Sequence, residues 1–532
     1  MPQKTRRDIV PHSTSDRTSS TLDGLDKSQE TGKIFESLHE QLAKTSFQTQ
    51  TKSPRFSVSL DILPDEVLLR IFDFYRMGHI HKLSEWRDLL LVCRRWYQLI
   101  ISSPRRLYLY VLCTRKTSFR KNLGHWPTFP IIIDYTNILN YPNYNTQKCS
   151  PDEEEEVFAA LEHPDRISSL KLPVTKLLLE KVATMAQEQF PMLRELSFVS
   201  DEDESVPVLP SEFLGGCAPR LRTINLEGIP FPTLPILLSS ATDLLALSLH
   251  RIPHAGYISP EAMVAGLAAL TRLEFLYLEF QSSTSRPGRN DTSRRAALPT
   301  QVVLPALTSF TFRGASEYLE DLVAQVEAPR LDFISITYLD QLIFSEHELP
   351  RFVGRVEVLE QSRKSVHVSF RGSDAFVRIQ QAENDQVGVL LNILRDLRRI
   401  RTQEPQWHVS DLAGLLSRCS AILSNVGDLS IDVAGLQPDG IGNIKWLEVL
   451  RQFTTVETLL VPAPLASYIL EAFKEVTAEM ASDTWPALRL LCLEYQLLRC
   501  VEGFVRARQL SGQPVTVVSE RKVFLDLLRQ TP

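Results

Sequence analysis

A chain of 532 residues with 43% apolar side chains has material for a large core, and its length predicts about two to four domains unless a repeat absorbs most of it. With 58 basic and 64 acidic residues the formal charge is only −6, which argues against a dedicated nucleic-acid binder, a class that carries a basic field. The seven cysteines are scattered and never form a C-x-x-C pair, so they read as reduced thiols of cytosol or nucleus rather than a disulfide framework or zinc site.

The opening MPQKTRRDIVPHSTSD lacks an apolar signal-peptide region, and no run of about eighteen apolar residues suggests a membrane span. Residues 1–57 are rich in Ser, Thr, Gln, Lys and Asp. They are expected to form a disordered tail, because they cannot bury enough area to offset the cost of ordering.

The texture changes near Leu60. Asp61 can cap, Pro64 can occupy a first helical turn, and Val67, Leu68, Ile71, Phe72 and Tyr75 recur at helical spacing. A second pattern, SEWRDLLLVCRRWYQLIISSP, is capped by Ser84 and carries Leu89, Val92, Trp96 and Leu99 on one face. Leu90, Cys93 and Ile100 widen that face, and the pattern is open to a break into two helices. The unit ends near Ser103-Pro104. Its first helix offers Val67, Leu68, Leu69, Ile71, Phe72, Phe74 and Tyr75, more apolar residues than a unit of about fifty residues can bury. Some of them must meet the following domain or a partner.

Residues 109–165 read as a linker and cap, with IIIDY in WPTFPIIIDY as one buried edge strand. The clusters PDEEEE (151–156) and DEDE (201–204), and the arginine-bearing stretch 282–300, are expected to project as loops or solvated caps.

From about 166 an apolar spacing of i, i+3, i+5 recurs in MLRELSF, RLRTINL, DLLALSL, RLEFLYL, ALTSFTF and RLDFISI, at intervals of 23 to 34 residues. This is the L-x-x-L-x-L strand of a leucine-rich repeat. ISSLKL before these segments, and VGDLSI, VETLLV and LRLLCL after them, extend the series. Helical pieces such as SPEAMVAGLAAL and LASYILEAFKEVTAEM intervene. A doubly wound sheet would also alternate strands and helices, but the strand motif recurs and no Gly-rich phosphate loop follows any strand. Between about 340 and 425 the pattern blurs, with SVHVSF read as a strand and VLLNILRDLRRI as a helix. RARQLSGQPVTVVS reads as a last helix, turn and strand before a C-terminal tail, 521–532.

With the motif residues turned inward, alternation puts Ser197, Asn225, Ser248, Tyr277, Thr311 and Ser335 on the opposite sheet face. That row is either a surface for a protein segment or ordinary solvated sheet. No G-x-S-x-G, H-E-x-x-H or P-loop motif occurs, so a catalytic role and a cofactor are not expected.

The stretch LPDEVLLRIFDF…WRDLLLVCRRWYQLIISSPRRLYLYV resembles the F-box, a three-helix module. The resemblance rests on Leu63, Pro64, Glu66, Ile71, Leu90, Val92, Cys93, Arg94, Trp96, Leu99 and Ile100, while the inter-helix stretch MGHIHKLSEW is longer than in the shortest forms. SSPRRLYLYVLCT, KNLGHWPTFPIIIDY, ALEHPDRISSLKL and the PALxxL strands further resemble a large group of F-box proteins from mushroom-forming fungi. The resemblance implies an α/β chain with an F-box over 58–108 and an irregular leucine-rich-repeat solenoid over 166–520. It further implies docking of a Skp-type adaptor through Leu63, Pro64, Glu66, Ile71, Leu90 and Val92, with Trp96 equally a core residue. The function so implied is that of a substrate receptor in a cullin-RING ubiquitin ligase of cytoplasm or nucleus, binding a protein target and neither nucleic acid nor membrane. A non-degradative interaction scaffold is the alternative, and an enzyme with a site assembled only in space is the weaker third.

Overall fold

The computed structural model describes residues 63–77, 87–104, 106–107, 109–123, 129–136, 148–200, 206–282, 301–339, 348–353, 363–371, 374–381, 387–394, 413–414, 416–417, 423, 425–434, 449–461, 469, 485–493 and 501–518. The expected tail, Ser84, the DEDE cluster, residues 283–300, nearly all of LASYILEAFKEVTAEM and the C-terminal tail lie outside the described residues. The chain divides into two units, Met1–Ile132 and Ile133–Pro532.

In the first unit α1 spans Asp65–Met77. It begins just after Pro64, whose carbonyl accepts the Val67 and Leu68 N–H groups at 3.0 and 3.1 Å. Asp65 and Glu66 set negative charge at the positive end of the helix. The second helical pattern does break, into α2 (Arg87–Leu90) and α3 (Arg94–Ser102). The break falls at Leu91-Val92-Cys93, where Cys93 is extended (φ −161°, ψ 166°) and precedes the first turn of α3. Leu68, Phe72 and Ile100 are fully buried, and the Phe72 ring meets Trp96 edge-on at 4.9 Å. Burying each such side chain contributes about 1.5–3 kcal/mol. Beyond them come β1 (Val111–Thr114) and α4 (Phe119–Leu123), and β2 (Ile131–Asp134) spans the boundary between the units. It is the expected strand, with Ile131 and Ile133 fully buried, but it is not an edge, since it has a strand on either side.

Of the two forms expected for PDEEEE, a loop or a solvated cap, the second unit opens with the cap: the run is the start of α5 (Pro151–Leu161). Ser150 Oγ accepts the Glu153 N–H at 3.3 Å while the Glu153 carboxylate accepts the Ser150 N–H at 2.8 Å, a reciprocal cap. The acidic run therefore satisfies the helix end, and Val157, Ala160 and Leu161 bury the other side. There follow β3 (Ile167–Pro173), α6 (Lys176–Met185), β4 (Glu195–Val199), β5 (Thr223–Glu227), α7 (Leu234–Leu238), β6 (Ala246–Ile252), α8 (Pro260–Leu267) and β7 (Phe275–Phe280). Next come β8 (Val302–Val303), β9 (Ser309–Gly314), α9 (Ser316–Val323), β10 (Val326–Glu327), β11 (Phe333–Leu339) and α10 (Glu348–Val353). Ser259 caps α8 as expected, accepting the Ala262 N–H at 3.2 Å.

Strands β3 to β7, then β9 and β11, pair in parallel, each beside the next, while β8 and β10 form a separate small pair. The register explains the motif. Leu196, Ile224, Leu247, Leu276, Phe310 and Ile334 align in one row, and Phe198, Leu226, Leu249, Leu278, Phe312 and Ile336 in another. None of the twelve is more than 3% exposed. The first motif leucine of each segment, from Leu193 to Leu331, lies in the turn before its strand and is fully buried. Successive helices pack on one another beside this sheet, α7 on α8, α8 on α9 and α9 on α10.

The regularity ends after β11. The remaining elements are β12 (Lys364–Arg371), β13 (Asp374–Gln381), β14 (Val387–Leu394), β15 (Val426–Ala434), β16 (Thr458–Val461), β17 (Leu490–Leu493), α11 (Glu502–Leu510) and β18 (Thr516–Val518). The helix expected at VLLNILRDLRRI is a strand over its first residues: β14 pairs in parallel with β11 and antiparallel with β13. Buried Val389 and Leu391, two apart, follow the strand period rather than the helical one. The order β11-β14-β13-β12-β15 makes β13 antiparallel to both neighbours, so the unit is an α/β fold with a large mixed sheet. From β15 to β18 the pairing is parallel again, and the expected last helix, turn and strand are α11 and β18.

Candidate functional site

Two surfaces carry the expected site residues, one in each unit. On α1, Val67, Ile71 and Phe74 sit at i, i+4 and i+7 and so share one face. They are 39%, 41% and 75% exposed, whereas Leu68 and Phe72 on the other side are fully buried. In the break between α2 and α3, Leu91 and Val92 are also exposed, Val92 at 54%. Pro64 and Glu66 are exposed and Leu63 is half-buried. Leu90 differs from expectation: it is 3% exposed, so it supports the helices from inside and presents no surface to a partner. Trp96 is likewise a core residue.

Arg95 is a feature that periodicity did not reveal. Its guanidinium donates to the Leu63 carbonyl at 2.6 Å and to Asp65 Oδ1 at 2.6 and 3.1 Å. This half-exposed bracket adds little stability, about 0–1 kcal/mol, but it fixes the Leu63-Pro64 entry against α3. Leu91 was not singled out, and Val67 and Phe74 were named only within the apolar surplus of the first helix, not as adaptor contacts. Their only signal is the surplus of apolar residues over what one helix face can bury.

In the second unit the pairing brings Ser197, Asn225, Ser248, Tyr277, Thr311 and Ser335 into one continuous row across β4, β5, β6, β7, β9 and β11. Ser197 is buried at 5%, and Asn225 Nδ2 donates to its hydroxyl at 3.1 Å; the other five are half-buried. Beside the row lies a polar network centred on Glu279. Tyr277 Oη donates to Glu279 Oε2 at 3.0 Å, Arg313 Nη1 to Oε1 at 2.9 Å, and His250 Nδ1 stands 3.6 Å from Oε2. The His250 and Tyr277 rings lie 4.0 Å apart. Burial alone would raise the Glu279 pKa, but His250, Arg313 and Tyr277 outweigh it and hold the carboxyl below its ordinary value. Burial, and then the Glu279 carboxylate, push the Tyr277 hydroxyl upward.

Glu279 and Arg313 are register partners across β7 and β9, while the register of β6 with β7 shifts between Leu249 and Ile252, the stretch that holds His250 and Arg251. Arg251 there adopts a left-handed φ of 49°, a strained backbone for a non-glycine residue. Its side chain holds the turn by an ion pair with Glu227 at 3.1 Å and a bond to the Ser200 carbonyl at 2.6 Å. Glu195 is paired with Lys171 at 2.7 Å. Glu195, Glu227 and Glu279 are thus tied to cations or donors, and an ionised Glu279 with a fixed tyrosine proton is a weak base beside a weak acid. Among the described residues no group of three His, Cys, Asp or Glu is placed to hold a metal ion, and no helix is long and apolar enough to cross a membrane.

No curated protein matches the chain. A family model described as F-box-like matches residues 60–110, which include α1, α2 and α3. The exposed stripe on α1 and the bracketed Leu63-Pro64 entry therefore belong to an F-box-like domain, present near residues 60–110.

Proposed function

We propose that this protein is the substrate-recognition subunit of an SCF-type, cullin-RING ubiquitin ligase. The F-box-like domain docks a Skp-type adaptor, and the second unit, read as an irregular leucine-rich-repeat array, holds a protein target. The observation that carries the reading is the stripe Val67, Ile71 and Phe74, exposed on a helix whose opposite side is a finished core. Affinity at such interfaces comes from a few apolar anchors that lose water together. Leu63, Pro64 and Val92 lie on the accessible surface of the same unit, and Arg95 pre-sets the entry at Leu63, which lowers the ordering cost of docking.

The protein itself performs no bond chemistry in this reading, which places it in cytoplasm or nucleus. It raises the effective concentration of a target lysine at the charged conjugating enzyme, and catalysis follows from proximity. Affinity purification of the full chain tests this, with and without proteasome inhibition. Co-purification of a Skp-type adaptor and a cullin is expected, together with one or more proteins whose abundance rises under inhibition. Adaptor without any protein stabilised by inhibition would favour the non-degradative scaffold, and absence of the adaptor would remove the ligase reading and leave only a scaffold that uses the box for another partner.

A further inference from the structure

The sheet face has one margin where its chemistry is left unfinished. Strands β7, β9 and β11 begin side by side, with Phe275, Ser309 and Phe333 in one row. On its other side Phe275 faces Ala246. Two small neighbours leave its ring 51% exposed, and Phe333 is half-buried. The two rings stand two strands apart, about 10 Å, with only a serine between them, which is room for one aliphatic side chain. The register continues one residue outward, where the Thr308 N–H donates to the Glu274 carbonyl at 3.0 Å and the Asp332 N–H to the Thr308 carbonyl at 2.8 Å. The Glu274 and Asp332 side chains are exposed and have no ion pair among the described residues. Glu195, Glu227 and Glu279 on the same face are all paired. Of the nearby cations, Arg272 is engaged by Asp243 at 2.8 Å.

We propose that this margin grips the target. It fits a protein segment that seats one aliphatic side chain over Ser309 between Phe275 and Phe333 and sets lysine or arginine at Glu274 and Asp332. The inference rests on the reading of the second unit as the target-holding surface. An exposed aromatic beside a small residue is the composition of a binding anchor, and open carboxylates at its rim select cations and repel the phosphates of a nucleic acid.

The test uses the full chain on an array of nine-residue peptides made only of Leu, Lys, Glu and Ser. Peptides with leucine flanked by lysines are expected to bind, and those flanked by glutamates are not. The double variant Glu274→Lys/Asp332→Lys is expected to reverse the preference, by about fivefold per charge, an outcome that simple unfolding does not produce. Phe275→Ser is expected to abolish binding of the lysine-flanked peptides. Equal binding of lysine- and glutamate-flanked peptides would overturn the proposal, as would a lysine preference that survives charge reversal. Concentration-dependent self-association lost in Phe275→Ser would also overturn it, by assigning the patch to a second copy of the chain. Adaptor capture is measured on the same preparation. Capture without peptide preference removes this inference alone, while preference without capture removes the ligase reading and leaves the peptide site.

Discussion

The two units leave different chemistry open to solvent. On α1 one side is a closed core of Leu68 and Phe72, and the opposite side shows Val67, Ile71 and Phe74 to water. On the sheet face of the second unit the exposed groups are mostly polar, and Glu195, Glu227 and Glu279 already have partners. The difference follows from the interactions themselves. Polar groups on adjacent strands can satisfy one another in place, so such a face is quiet except where a carboxylate or an aromatic ring lacks a neighbour. Apolar groups gain only by leaving water, so an exposed stripe stays adhesive until another surface covers it.

The sharpest way to break this comparison uses two adjacent residues. Phe72→Ala is expected to cost the N-terminal unit about 3–5 kcal/mol in denaturant unfolding, because it opens a cavity against Trp96. Ile71→Asp is expected to change stability by no more than about 0.5 kcal/mol while weakening adaptor binding by about 2 kcal/mol or more. Equal effects of the two on folding would erase the distinction between the faces of α1. A second pair repeats the contrast across the helix break. Leu90→Ala should destabilise by about 2–5 kcal/mol, and Val92→Asp should leave the melting temperature in place while lowering adaptor affinity. Retained stability in Leu90→Ala would return that residue to the surface.

On the sheet the corresponding probe is Glu279→Gln, expected to cost about 1–3 kcal/mol at pH 7 by weakening charge-assisted bonds. Glu279 has a folded pKa below its ordinary value of 4.5. Its contribution is therefore fully present above about pH 4.5 and is lost as pH falls through the lower folded value. The stability gap between wild type and Glu279→Gln should narrow when unfolding is repeated near pH 3, and a gap that widens would show the linkage to have the opposite sign. The smallest expected effect is that of Arg95→Ala: less than about 1 kcal/mol of stability, with faster adaptor dissociation in surface-binding kinetics. An unchanged dissociation rate would mean that the Leu63 entry holds its position unaided.

Where the fold was legible, the reason is repetition. Strands β4 to β7, β9 and β11 meet the same environment, so the same spacing recurs and Leu196, Ile224 and Leu247 predict one another. The row from Ser197 to Ser335 followed from alternation alone. β14 was misread because Leu390, Leu391, Ile393 and Leu394 also suit a helix, and nothing local announces that one strand of the series runs backward. The approach of His250 to Glu279 falls at a register shift in β6 that no spacing rule contains. Leu90 and Val92 were grouped as adaptor contacts by the family resemblance alone, and the break at residues 91–93 leaves the first buried and the second exposed.

The central claim is that the exposed side of α1 docks a Skp-type adaptor. Calorimetric titration of a purified adaptor into the full chain and into Ile71→Asp tests it most directly. The account predicts saturable binding with a negative heat-capacity change for the wild type, the mark of apolar burial, and binding at least about thirtyfold weaker for Ile71→Asp. Equal affinities for the two chains would contradict it.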